Sequence, residues 1–358
     1  MSRPRARQDR WTNQIVTLAE TVALAVQSGD RHESAVRLAH VLTRVLDSGS
    51  DHPIQRAVEA LDARHAHDAA DIVLLAAGGA AGTLDVALSG PGNIFGVASL
   101  FLVPLLMAAP APAPVSRVFP AGSAWEGLVR SLKACGLVSE ESTVVCHSGL
   151  YTLADLPRSW VEQRQWLRVL VEGLCRKEPA LPAPAPGEPP FAEASVDGAR
   201  QLRFLVGAVL SASDEPPLWD ADDPETLEAQ DRFDAWFESA AGLFQEALGL
   251  DGVLVGHPDR WDDAIDAGET LWNMAGASLA IERHCTNAGC TPEAVLADVR
   301  WQGGEDGTWV VSLTSLDHIS PPWAWRPTYN PEDDRDALLD TLRSLGIRRI
   351  AMDERGAP

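Results

Sequence analysis

Residues 96–109, with the sequence GVASLFLVPLLMAA, form an apolar run without a charged side chain. A membrane-spanning helix needs about 20 consecutive apolar residues, and Pro104 interrupts this run. The run therefore predicts a β-strand that is buried on both faces, not a membrane span. A second strand of similar apolarity, QLRFLVGAVLSA, is predicted at residues 201–212. Two such strands separated by helical patterns indicate an α/β protein, with an α+β arrangement as the alternative.

The segments around these strands follow a repeated order. Residues 1–80 predict an N-terminal helical segment, because apolar residues recur there at intervals of three and four. Residues 95–178 predict strand, helix, strand, helix, and residues 191–358 begin with the same order. Between them, residues 179–190 contain six prolines, which predicts an extended linker. A glycine-rich segment, AAGGAAGTLD at residues 76–85, is interpreted as a turn because it lacks the Lys-Ser/Thr pair of a phosphate-binding loop.

Sequence similarity between the two halves suggests an internal duplication. With an offset of 110 residues, four aligned pairs stand out: Val145 and Val255, His147 and His257, Tyr151 and Trp261, and Ala154 and Ala264. Coincidence between two ordinary strand-to-helix corners is the alternative. The sequence leaves open whether the halves form one sheet or two lobes.

Charge is concentrated in the second half of the chain. The whole chain has a net charge of −22. Residues 1–178 carry 18 acidic and 17 basic side chains, whereas residues 179–358 carry 33 and 12. A field of this sign repels phosphate backbones, which argues against direct nucleic-acid binding and favours a basic protein partner or simple solubility. Five unevenly spaced cysteines, and a basic N-terminus without an apolar segment behind it, predict a cytoplasmic protein.

Three stretches resemble a known family. They are NQIVTLAETVALAVQSGDRHESA near the N-terminus, TLADLPRSW after the strand at residues 142–146, and RQLRFLVGAV after the proline-rich segment. Together they resemble an uncharacterised family of proteobacterial cytoplasmic proteins, a domain of unknown function. The resemblance implies a bacterial, cytoplasmic, two-part protein, and it implies no activity, cofactor or catalytic residue.

His147 and His257 are the candidate catalytic residues. If the two halves were related by a two-fold axis, the two imidazoles could face one cleft between lobes, in outline like two-histidine phosphoesterases. Those enzymes have a hydroxyl residue two positions after each histidine, where this chain has Gly149 and Asp259. The alternative is that each histidine forms hydrogen bonds near the surface. Cys146 precedes His147, but neighbours in a strand point to opposite faces, so we do not expect a Cys–His dyad.

Two further segments carry residues with binding chemistry. ERHCTNAGC contains a weak candidate set of metal ligands, namely His284, Cys285 and Cys290, although a helix that ends at Gly289 explains this segment better. SPPWAWRPTYNP, residues 320–331, predicts a loop because of its prolines. We interpret four residues of this loop, together with Tyr151 and Trp261, as candidate binding residues: Trp323, Trp325, Arg326 and Tyr329.

The sequence therefore favours a non-enzymatic cytoplasmic protein that binds another protein through its acidic, Trp-rich second half, without a cofactor. One alternative is a hydrolase or phosphoesterase that uses His147 and His257. Another is an acidic decoy that mimics nucleic acid. The sequence does not indicate an oligomeric state.

Overall fold

The computed structural model describes residues 3–28, 32–88, 94–110, 115–176, 181–184, 191–195, 198–212, 215–220, 226–303, 307–316, 318–325 and 331–353. The chain divides into two compact units, Met1–Ala264 and Ile265–Pro358. The prediction of a mixed helix and strand protein is confirmed. Among the described residues, no helix has the length and apolarity needed to cross a membrane.

The chain begins with four helices: α1 (Arg3–Ser28), α2 (His32–Asp47), α3 (His52–Asp62) and α4 (His67–Gly82). They share one core, which includes Ile15, Leu42, Ile54 and Val73. The predicted turn at residues 76–85 is wrong, because Gly78 and Gly79 lie in α4 and a strand, β1 (Thr83–Leu88), follows the helix directly. Glycine weakens a helix only by about 1 kcal/mol, and packing of the apolar α4 face offsets this cost.

The central sheet contains the two strands that the sequence predicted. These are β2 (Ile94–Pro110) and β5 (Gly198–Ala212), and they pair antiparallel along their whole common length. β3 (Thr143–Tyr151) pairs with β5, and both β1 and β6 (Gly252–Val255) pair with β2. A short strand, β4 (Ala192–Ser195), also pairs with β5. Strands from both sides of the proline-rich segment thus pair in one sheet, within the unit Met1–Ala264.

Helices cover both faces of this sheet. On one face, which we call the α7 face, side chains such as Phe101, Leu105 and Val209 share a core with α5 (Ser123–Ala134) and α7 (Leu227–Leu248). On the opposite face, which we call the α6 face, α6 (Trp160–Arg176) packs against β1, β2, β3 and β5. A sheet that is covered on both faces explains why β2 and β5 are apolar without alternation.

The pairing register is similar in the two halves. Thr143 of β3 pairs with Leu210 of β5, and Val253 of β6 pairs with Met107 of β2. Val253 follows Thr143 by 110 residues, and Leu210 follows Met107 by 103 residues. Because 103 is an odd number, residues at equivalent positions of β2 and β5 have side chains on opposite faces of the sheet. A two-fold axis that relates two antiparallel strands would instead keep equivalent side chains on the same face. The internal duplication is therefore not confirmed and remains a prediction.

A buried arginine connects α6 to the N-terminal helices. Arg164 donates from its Nη1 to the carbonyls of Ala80 at 2.6 Å and Thr83 at 2.7 Å. Its Nε donates to Asp47 at 2.5 Å, at the end of α2. The C-terminal carbonyls of a helix lack partners within the helix, so Arg164 satisfies groups at the end of α4 that would otherwise be buried unpaired.

The second unit contains a smaller sheet. β7 (Leu296–Gln302) pairs antiparallel with β8 (Thr308–Ser315) and parallel with β11 (Arg349–Asp353). β9 (His318–Ile319) and β10 (Trp323–Trp325) both pair with β8. The core of this unit combines the sheet with α9 (Pro331–Ser344) and the end of α8 (Trp261–Ala288). Trp323 and Trp325 were predicted to lie on a loop; they lie instead on β10, because Pro321 and Pro322 precede the strand and leave its amides free to pair.

Candidate functional site

His147 lies near the end of β3, on the α6 face of the sheet. Its Nδ1 accepts the amide proton of Gly149 at 2.9 Å and lies 2.8 Å from the hydroxyl of Tyr151. That hydroxyl also donates to the carbonyl of Pro182 at 2.8 Å. A ring nitrogen that accepts carries no proton, so this network assigns the proton of the neutral imidazole to Nε2. Burial lowers the pKa of His147, which agrees with a neutral ring.

The neighbouring Cys146 lies on the other face. It packs against the α7-face core, and a Cβ added at Gly207 would lie 2.5 Å from its Sγ and 2.4 Å from Phe101. Burial raises the pKa of the Cys146 thiol well above its usual value. A protonated thiol on the opposite side of the strand from His147 is not an activated nucleophile.

His257 follows β6 and lies on the α7 face. Its ring packs 4.8 Å from the ring of Phe233 on α7. Burial lowers the pKa of His257, and the nearby charge of Asp234 opposes that shift. Its Nδ1 is buried without a hydrogen-bond partner in the described part of the chain. His147 and His257 are thus on opposite faces of one sheet, and they do not line one cleft.

Three carboxylates, Asp220, Asp259 and Asp263, form a cluster, and two of them closely follow His257 in the chain. The backbone of Asp259 exchanges two hydrogen bonds with Leu102, at 3.0 and 3.1 Å, which fixes Asp259 at the edge of β2. Burial raises the pKa of Asp259 to about 7, and the charges of Asp263 and Asp220 add to this effect, while Arg260 opposes it. A carboxyl group with this pKa exchanges a proton near neutral pH.

Arg260 connects this cluster to a distant part of the chain. Its Nε lies 2.7 Å from Oδ1 of Asp220, which belongs to a short 3₁₀ turn at Leu218–Asp220. The other carboxylate oxygen of Asp220 is buried without a hydrogen-bond partner among the described residues. The cluster therefore places more negative than positive charge in a partly buried position, which adds to the effect of burial on the pKa of Asp259.

Tyr151 and Trp261, two of the predicted binding residues, are brought together by a third aromatic residue. The ring of Trp166 lies 4.9 Å from that of Tyr151 and 6.0 Å from that of Trp261. Tyr151 is 1% exposed and Trp261 is 5% exposed. This row of rings therefore belongs to the packing between the sheet and its helices and presents little surface to a ligand.

His284 and the two cysteines near it lie at the end of α8. His284 is buried, its Nδ1 lies 2.7 Å from the hydroxyl of Ser320, and its ring lies 5.1 Å from that of His318. Burial, and secondarily the charge of His318, lower the pKa of His284. In the described part of the chain, no group of three or more histidine, cysteine, aspartate or glutamate side chains could hold a metal ion. His284, Cys285 and Cys290 thus do not assemble into a metal site there.

The remaining predicted binding residues fall in or near a short hairpin. Trp325 is buried, whereas Trp323 is partly exposed, and Arg326 and Tyr329 lie outside the described residues. Two aliphatic residues that precede Trp323 in the chain are highly exposed: Leu316, at 102%, and Ile319, at 71%. Leu316 lies in the turn between β8 and β9, and Ile319 lies on β9. We name Leu316 and Ile319 the hairpin edge. Trp323 does not belong to it, because Trp323 pairs with Val311 on the core face of β8 and packs against the second core, whereas Ile319 pairs with Thr314 on the other face.

No protein-family model, curated protein or solved structure matches this chain. The resemblance to a family of proteobacterial proteins therefore remains an expectation from three short stretches.

Sequence analysis missed the carboxylate cluster and the hairpin edge. Asp259 was noted only as a departure from a phosphoesterase pattern, and Asp220 is 39 residues away from it in the chain. A sequence signal for the hairpin edge does exist, because Leu316 stands between Ser315 and Asp317, where a polar turn residue is usual.

Proposed function

We propose that this chain is a non-enzymatic protein-binding protein and that the hairpin edge is its contact surface. One observation carries the proposal: Leu316 and Ile319 are large aliphatic residues that expose 102% and 71% of their surface on the same hairpin. Aliphatic side chains that cluster on an exposed surface are characteristic of a site that a partner covers.

The surroundings of the hairpin edge suggest what the partner is. Pro321 and Pro322, which follow β9 in the chain, are also exposed. Residues 265–358 carry 15 acidic and 8 basic side chains, so the surrounding field favours a partner segment with apolar side chains flanked by lysine or arginine.

The enzyme alternative receives less support from the positions of the residues proposed for it. A hydrolase that used His147 and His257 together would need both imidazoles at one substrate. Phe233 packs against His257 on the α7 face, whereas Tyr151 bonds His147 on the α6 face. A molecule of substrate size cannot contact both rings through the sheet.

The test is photo-cross-linking in the cell from which the gene comes. A photoreactive phenylalanine replaces Leu316 in one variant and Leu75 in a control variant, because Leu75 on α4 is 72% exposed but lies in the first unit. We expect a cross-link to one protein from position 316 and none from position 75. The linked peptide should carry basic residues, and the yield should fall as the salt concentration rises.

A second variant tests whether the apolar surface itself is responsible. Ile319→Ser, introduced together with the probe at position 316, should weaken binding about ten- to a hundredfold, because burial of an isoleucine side chain contributes about 1.5–3 kcal/mol. Equal cross-linking from positions 316 and 75, an unchanged yield with Ile319→Ser, or cross-linking only to a second copy of this chain would each refute the proposal.

A further inference from the structure

The end of α8 brings two cysteines together through its backbone. Gly289 follows the helix in the left-handed conformation, with φ of 62°. The amide of Cys290 then donates to the carbonyl of Cys285 at 3.1 Å. A bond from the second residue after a helix back to its last turn is the Schellman arrangement, and side chains at these two positions usually contact each other. In this chain both of these side chains are cysteines.

The two sulfurs are accessible and lie at the same end of one helix. Cys285 and Cys290 are free, half-buried, and packed against the same edge of the second core. Their side chains form a hydrogen bond with each other. The residues between them, Thr286 to Gly289, are mostly exposed, so a small reagent can approach. Disulfides require Cα atoms about 4.4–6.8 Å apart, and a backbone hydrogen bond of the Schellman type brings its two residues close together.

We propose that Cys285 and Cys290 are an oxidation site, at which a low-molecular-weight disulfide such as oxidised glutathione converts the two thiols to an internal disulfide. The thiolate of one cysteine attacks the reagent, breaks its S–S bond and releases one glutathione, which takes up a proton. The sulfur of the second cysteine then attacks the mixed disulfide and releases the second glutathione. Two cysteine thiols are oxidised, and one glutathione disulfide is reduced to two thiols.

Local packing makes the second step intramolecular. The backbone hydrogen bond from Cys290 to Cys285 already holds the two residues next to each other in the reduced protein, so closure joins neighbouring residues at one helix end. Burial raises the pKa of Cys285, so the reaction should be faster at mildly alkaline pH, where more of the thiolate is present. In the sequence, these two cysteines were weak candidates for metal ligands. In the structure, the spacing between Cys285 and Cys290 fits the end of a helix and a contact between the two side chains.

The experiment uses the full chain and oxidised glutathione. After reaction, acid quench and denaturation, we expect the number of free thiols per chain to fall by two. Trypsin cleaves after Arg283 and Arg300, so both cysteines remain in one peptide, residues 284–300. That peptide should lose two hydrogens and resist alkylation. Cys290→Ser should instead leave one glutathione on Cys285, and Cys135→Ser should not change the result.

Three results would overturn the proposal: a peptide that stays unmodified, a peptide that carries glutathione on both cysteines, or an internal link that forms equally fast when the wild-type chain is unfolded in urea. Gly289→Ala provides a second measure that does not depend on removal of a cysteine. Alanine is strained at a φ of 62°, although nothing lies within 4 Å of its added Cβ. We expect slower closure in this variant, with the second unit still folded.

Discussion

The hydroxyl of Tyr151 lies 2.8 Å from Nδ1 of His147, and the same nitrogen accepts the amide proton of Gly149. Because Tyr151 also donates to the carbonyl of Pro182, its single proton serves two acceptors. This network connects β3 to the segment that contains Pro182, and it requires a neutral imidazole.

Tyr151→Phe removes the hydroxyl and leaves the ring in place against Trp166. We expect a loss of about 1 kcal/mol in the free energy of unfolding, measured with urea, because Nδ1 of His147 and the carbonyl of Pro182 both lose their hydroxyl partner. A double-mutant cycle with His147→Ala isolates the part of this loss that depends on the imidazole. Nitrogen NMR of His147 at neutral pH should show the proton on Nε2. A proton on Nδ1 would contradict the network.

Asp259→Asn should change how stability depends on pH. The pKa of Asp259 is about 7 in the folded protein, against 3.8 for an ordinary aspartate, so the folded state holds its proton more tightly. Stability is therefore lost as the pH rises from about 4 to about 7. Relative to the Asn variant, the wild type should lose on the order of 4 kcal/mol across that window.

The measurement is urea unfolding of both proteins at several pH values. Asp220, Asp263 and Arg260 act on Asp259 and remain in the variant, so the difference between the two curves isolates the Asp259 carboxyl group. A difference that stays constant from pH 4 to pH 8 would show that the pKa of Asp259 is not raised. His147 and His257 have lowered pKa values and therefore contribute in the opposite direction, since their stabilisation is lost as the pH falls.

Gly207→Ala should destabilise the protein, because an added Cβ would approach Phe101 and Cys146 to 2.4 and 2.5 Å. Overpacking of a core costs about 1–3 kcal/mol. Gly252→Ala is the matched control, since Gly252 also lies on a strand of this sheet and nothing lies within 4 Å of its added Cβ. Thermal unfolding compares the two variants. Equal effects would mean that the close approach at Gly207 relaxes without cost.

Arg164→Met and Arg168→Met form a second matched pair, because both arginines contact Asp47. Arg164 is buried and also bonds two carbonyls near the end of α4. We expect its loss to cost about 3 kcal/mol in the free energy of unfolding. The side chain of Arg168 is 40% exposed, and the loss of an exposed ion pair typically costs less than about 1 kcal/mol. Similar losses in denaturant titrations would show that the carbonyl contacts contribute little.

The sequence was most informative where local chemistry decides the structure. The apolar runs in β2 and β5 predicted buried strands, and the helices around them followed from their periodicity. The prolines of residues 320–331 predicted a loop, but β10 forms there because its pairing with β8 satisfies the backbone of Trp323 and Trp325. Tertiary pairing can thus override a local turn signal.

The candidate sites were less predictable because they depend on contacts between distant residues. The sequence placed His147 and His257 at equivalent strand ends, but strand alternation and the irregular pairing of β3 between Cys146 and Leu150 determine the face on which each ring lies. The raised pKa of Asp259 follows mainly from its burial against the edge of β2 and in part from the charges of Asp263 and the distant Asp220. No periodicity within a short window contains that information.

The position of β5 between β2 and β3 also constrains how the chain is made. The N-terminal helices share a core formed largely by residues 15–81, so this core can form early in synthesis. β2 and β3 are both translated before β5, and each forms its central pairing with β5. The ribosome therefore releases β2 and β3 before their main partner exists, and during that interval the apolar side chains of β2 are exposed to association with other chains.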